Sequence, residues 1–143
     1  MEEFVPYELA VKLKEKGFIH DYNLYGYKPI YTDVDTMALI WNNGAYEKDY
    51  FGENIPCPSI SEVLKWLRDE KKLYVEPCVL SDTDTDADNK VVNEYTYWSF
   101  SITHIETGDM IYFKYEHIYD DKRFDSYEEA ALAGIDYILD NLI

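Results

Sequence analysis

Three stretches of the chain space their apolar residues for a helix, and between them the spacing changes toward alternation. After Pro6, residues Leu9, Ala10 and Leu13 form a stripe and Gly17 stands where a helix-terminating glycine belongs, so a helix is expected over Tyr7 to Lys16. From Phe18 to Asn43, Tyr and β-branched residues are punctuated by Gly26, Pro29 and Asn42-Asn43-Gly44. That pattern reads as short strands and loops, with Met37 to Trp41 the best strand, although Asp35 is also placed to cap a short helix there. Gly44 to Pro58 has loop composition. It ends at Ser59-Ile60-Ser61-Glu62, a capping box, in which the serine hydroxyl and the glutamate carboxylate each satisfy a free backbone N–H at a helix start. Ile60, Val63, Leu64 and Leu67 then share one face of a second helix, flanked by Trp66 as a packing anchor.

Past Lys71-Lys72 the period becomes two, with Leu73, Val75 and Val79 on one side of a strand that Pro77 marks as an edge or a bulge. Asp82, Asp84, Asp86 and Asp88 follow, alternating with Thr83, Thr85 and Ala87, and their composition predicts an exposed loop. Tyr95 to Ile105 and Met110 to Ile118 are expected to form a hairpin through Glu106-Thr107-Gly108-Asp109. With Thr107-Gly108 at the tip, opposed residue numbers sum to 215, which sets Trp98 against His117, Phe100 against Tyr115, Ile102 against Phe113 and His104 against Ile111. Ser126-Tyr127-Glu128-Glu129 is a second capping box. It opens a third helix with Ala131, Leu132, Ile135, Ile138, Leu139 and Leu142 available to pack. Gly134 inside that helix lowers its propensity, and a close approach to the sheet would account for it. The expected fold is one α+β domain spanning residues 1–143. It is an antiparallel β-meander of three to five strands with three helices packed mainly on one face, that of Trp98, Phe100 and Ile102.

Charge adds what periodicity does not. The chain carries a formal net charge of -16 over 143 residues, together with 15 tyrosines, and 47% hydrophobic content separates it from disordered acidic chains. The excess is lopsided, with 16 acids against five bases from Lys72 onward and 13 against eight before it. Such a field repels phosphate backbones, and the bases form no stripe, so direct nucleic-acid binding is not expected. Basic proteins, or proteins that themselves bind nucleic acid, are the partners it favours. No apolar run approaches the length of a membrane span, and Met1-Glu2-Glu3-Phe4 opens without a basic, apolar leader, so a cytoplasmic protein with no membrane association is expected.

Catalytic signatures are weak. The alternating aspartates resemble the start of a calcium loop, but counted from Asp82 the sixth position is Ala87 and the twelfth Asn93, where glycine and glutamate are needed. His20, His104 and His117 share no metal spacing, and His104 and His117, on the hairpin face, are read as hydrogen-bonded histidines at the core margin. Cys57 and Cys78 form no zinc or disulfide set and read as small buried apolar residues. Carboxylates are so numerous that a paired-acid site carries no information, and no catalytic residue, metal ligand or cofactor is assigned.

Phe4 to Phe18, Cys57 to Glu70 and Ser126 to Asp140 are similar, in that order, to stretches in a family of small uncharacterised proteins of phages and mobile elements of gut bacteria. That family has no assigned activity, so the resemblance implies a cytosolic accessory protein and no site residue. The acidic stretch Ser81 to Asn93 is longer than such relatives would suggest. The leading functional expectation is a non-enzymatic protein-binding module, one form of which is an inhibitor mimicking nucleic-acid charge. Asp82, Asp84, Asp86, Asp88, Asp120, Asp121 and Asp125 are the candidate acids, with Tyr22, Tyr25 and Tyr27 as aromatic contacts. A small metal-dependent hydrolase using an acidic cluster and a structural homo-oligomer are the alternatives.

Overall fold

The computed structural model of the chain describes residues 3–19, 28–33, 38–42, 55–113 and 123–143. The fold is α+β. Its helices are α1 (Tyr7–Glu15), α2 (Ile60–Glu70) and α3 (Tyr127–Asn141), and its strands β1 (Lys28–Asp33), β2 (Ala38–Asn42), β3 (Ile55–Pro56), β4 (Leu73–Thr85), β5 (Val91–His104) and β6 (Met110–Phe113). The described strands form two antiparallel three-stranded sheets, ordered β2-β1-β3 and β4-β5-β6. The second is the expected meander. The first adds a sheet whose β1 and β2 fall within the stretch read as short strands and loops, β2 over the Met37 to Trp41 strand, while β3 falls where a loop was expected. Two compact units emerge, Met1–Trp66 with Asp136–Ile143, and Leu67–Ile135, their boundaries falling inside α2 and α3.

In the first unit, Gly17 takes φ 89 just past the end of α1, the left-handed cap its position called for. The α2 capping box is made as predicted: the Glu62 N–H donates to Ser59 Oγ at 3.2 Å and the Ser59 N–H to Glu62 Oε2 at 3.0 Å. Backbone bonds Val5 N to Pro58 O and Ile60 N to Glu3 O, each 3.0 Å, tie the chain before α1 to the entry of α2. Val5, Leu9, Ala10, Leu13, Cys57 and Val63 are buried, and Trp66 meets Phe18 edge-on with ring centroids 5.4 Å apart. Lys12 reaches from α1 to Asp136 and Asp140, one turn apart on α3. These bonds, Asp136 foremost, raise the proton affinity of its amine.

The second unit is built on β4 and β5, paired without interruption from Leu73↔His104 to Asp84↔Asn93. One face of this ribbon carries Leu73, Val75, Phe100 and Ile102, all buried, and it is the face that α3 covers. A Cβ placed on Gly134 would lie 2.6 Å from Val75 Cγ1 and 3.2 Å from Phe100 Cδ2, so the glycine exists to let α3 approach. Trp98 meets Tyr127 edge-on at 5.8 Å, and Phe100 packs beside Phe124 at 6.2 Å. In the α3 cap, Glu129 N–H donates to Ser126 Oγ, but Glu129 Oε2 accepts from Asp125 N–H, one residue earlier than a capping box would have it.

Two expectations require correction. The aspartate run is strand, not loop, as far as Thr85, and the turn is confined to residues 86–90. Thr83 and Thr85 suit the pleat, while Asp86 makes the tight reversal: its Oδ1 accepts from the N–H groups of Asp88 and Lys90, and Asn89 supplies φ 61. The β5–β6 register also differs. Ser101 pairs with Phe113 and Ile102 with Tyr112, then, across a bulge, Thr103 with Met110, so the number sums are 214 and 213, not 215. The cause is a five-residue loop, Ile105 to Asp109, in which Gly108 N–H donates to His104 O at 2.8 Å and Gly108 (φ 73) stands near the end and not inside a two-residue turn. Trp98 exchanges backbone bonds with Phe124. Tyr115 and His117 lie outside the described residues.

Candidate functional site

Alternation along the ribbon puts Tyr74, Glu76, Cys78, Leu80, Asp82 and Asp84 of β4 on the face opposite α3, beside Thr103, Ser101, Ser99, Tyr97, Tyr95 and Asn93 of β5. Near the core this face is covered, for Ser99 and Ser101 are buried. Toward the turn it opens. There Tyr95 and Tyr97, two residues apart, form an aromatic floor, and the Phe124 bridge delivers Arg123 onto it. The guanidinium carbon lies 4.5 Å from the Tyr97 ring centroid and 4.9 Å from that of Tyr95, and one Nη donates to Asp82 Oδ2 at 2.9 Å. Tyr95 OH also donates to Asp82 Oδ2, at 3.3 Å.

Asp82 is therefore held from several sides. The Thr83 N–H, donating to Oδ1 at 2.8 Å, contributes most to keeping its carboxyl below the ordinary aspartate range, and Arg123 and Tyr95 add to this. Its depressed value means the contact is in place above the ordinary aspartate pKa and is lost as pH falls through the lower folded value. Arg123→Gln should shift the Asp82 titration only part of the way back upward, since the Thr83 N–H remains; a carboxyl-carbon NMR titration measures it.

The candidate acids separate into three groups. Asp82, Asp84, Asp86 and Asp88 share the end of the β4–β5 ribbon, the last three exposed. Asp125, exposed, follows Arg123 and precedes α3. Asp120, Asp121, Tyr22, Tyr25 and Tyr27 lie outside the described residues. Arg123, Tyr95 and Tyr97 were not singled out by the sequence. Two tyrosines at strand spacing were the only available signal, because Arg123 is 41 positions from its carboxylate.

Among the described residues no three His, Cys, Asp or Glu side chains are grouped to hold a metal. Asp86, the centre of the calcium-like spacing, spends one oxygen on two backbone donors of its own turn. His104 is half-buried, and its Nδ1 lacks a hydrogen-bond partner among the described residues, as does Ser99 Oγ, so the hydrogen-bonded reading of His104 does not hold at that nitrogen. His20 and His117 are outside the described residues. Cys57 is fully buried, as expected, and Cys78 half-buried, its thiol pushed up first by burial and then by Glu76. No described helix is long and apolar enough to cross a membrane. Comparison with protein-family models, with characterised proteins and with solved structures gave no match.

Proposed function

We propose that the chain is a non-enzymatic protein-binding module whose acidic ribbon end engages a basic protein surface, including surfaces that otherwise bind nucleic acid. One observation carries this reading: Asp84, Asp86, Asp88 and Glu94 are displayed, exposed, on the end of a paired two-stranded ribbon. Carboxylates fixed on paired strands and the tight turn between them need little further ordering to meet a cationic partner, and their summed field steers encounter. Within this reading the chain is a cytoplasmic accessory protein of a phage or mobile element, a setting drawn from the resemblance of its three helical stretches.

The test is titration of the full chain with a lysine-rich peptide, followed by amide chemical shifts at several salt concentrations. Shifts should concentrate between Ser81 and Thr96, and the triple variant Asp84→Asn, Asp88→Asn, Glu94→Gln should weaken binding by about tenfold or more at low salt. Equal affinity in variant and parent, or shifts spread evenly over the chain, would remove the support. The hydrolase alternative has no metal-donor group among the described residues to build on.

A further inference from the structure

We propose that β4 is a docking edge, to which an extended segment of a basic partner protein adds as a further strand along Pro77 to Thr83. This rests on the binding-module reading and specifies its mode of contact. Among the described strands, the sheet order β4-β5-β6 leaves β4 at the edge. Ile105 N–H donates to Lys72 O, whereas Trp98 and His104 bond Phe124 and Asp109 on the other side, so odd-numbered residues of β5 face β4. Their β4 partners are the even-numbered residues from Tyr74 to Asp84. Leu73, Val75, Pro77, Val79, Ser81 and Thr83 therefore turn their backbone groups outward.

Two residues bound the usable part of that edge. Pro77 has no N–H and sits at an outward position, where an edge strand tolerates proline. Thr83 N–H is already taken by Asp82 Oδ1. Between them Val79 and Ser81 offer both N–H and C=O outward, and both residues are exposed, Val79 by 52%. Pro77 and Thr83 add a carbonyl each.

Charge selects the occupant. If a second copy paired antiparallel through this edge, aligning Val79 with Val79 would set Glu76 opposite Asp82, and aligning Val79 with Ser81 would set Glu76 opposite Asp84. Like charges directly opposed destabilise a strand pair. A segment with Lys or Arg across from Glu76 and Asp84, and apolar residues at the alternate positions beside Val79, reverses that sign. Asp82 is partly neutralised by Arg123, which leaves Glu76 and Asp84 as the flanking charges.

The experiment uses the full chain and an 11-residue peptide of alternating lysine and valine, in three forms: unmodified, and N-methylated on either of the two alternating sets of peptide bonds. Strand addition predicts binding by the unmodified peptide, with slowed amide exchange at Val79 and Ser81. One methylated form should lose affinity by at least about tenfold, and the other should retain it within about threefold. Ser81→Pro, which removes an outward donor as Pro77 already does, should weaken binding while leaving the circular dichroism unchanged. Equal binding by both methylated forms, with unprotected amides, overturns the docking edge and leaves the electrostatic reading standing. No binding by any form overturns both.

Discussion

Gly134→Ala should lower stability by about 1 kcal/mol, although alanine is the better helix former by nearly that amount. The new methyl would fall 2.6 Å from Val75 Cγ1 and within 3.4 Å of two Phe100 ring atoms. Val75 cannot easily yield, because it is 4% exposed and its β-branched side chain has few rotamers on a strand. Overpacking of this kind costs about 1–3 kcal/mol, which exceeds the helix gain. Removing the obstacle should reverse the penalty. Val75→Ala alone should destabilise by roughly 2 kcal/mol through its cavity, yet the double variant should be more stable than the sum of the two single changes implies, by at least about 1 kcal/mol. Denaturant unfolding of the four proteins measures the cycle, and a stabilising Gly134→Ala would mean that α3 stands further off the ribbon.

Phe100→Ala carries the largest expected loss, about 3–5 kcal/mol. Phe100 is 5% exposed, its ring lies against the Gly134 position of α3 and beside Phe124, and it belongs to the buried face of β5. Total stabilities of single domains are about 5–15 kcal/mol, so this one truncation should lower the melting temperature by roughly 10 °C or more. Val79→Ala is the matched control. Val79 points to the same face by alternation but lies further along the ribbon and is 52% exposed, so its change should stay within about 0.5 kcal/mol. Similar losses at both positions would contradict the burial gradient that leaves the acidic end in solvent.

The helices were legible because their signals are local. The Ser59–Glu62 box of α2 and the Ser126 cap of α3 sit within four residues of the positions they cap, and Gly17 and Gly134 have physical reasons visible in the spacing. The helix-covered face was legible from alternation at Trp98, Phe100 and Ile102. The extent of β4 was not, since aspartate is disfavoured in strands and the compensation comes from cross-strand partners such as Tyr95, 13 positions away from Asp82. The β5–β6 register turned on where Gly108 sits in the loop, and a left-handed glycine serves a five-residue loop as well as a two-residue turn. Arg123 was invisible because a lone arginine has no periodicity, and only the Trp98–Phe124 bridge brings it over the tyrosines.

The account stands on the acidic run being the end of a paired ribbon and not a solvated loop. Nuclear Overhauser contacts between α-protons test this most directly, because pairs that do not exchange backbone bonds bring those protons close. The register predicts them for Val79 with Trp98, Ser81 with Thr96, and Thr83 with Glu94. Coil chemical shifts from Ser81 to Glu94 with none of these contacts, or the same contacts displaced by one residue, would contradict it.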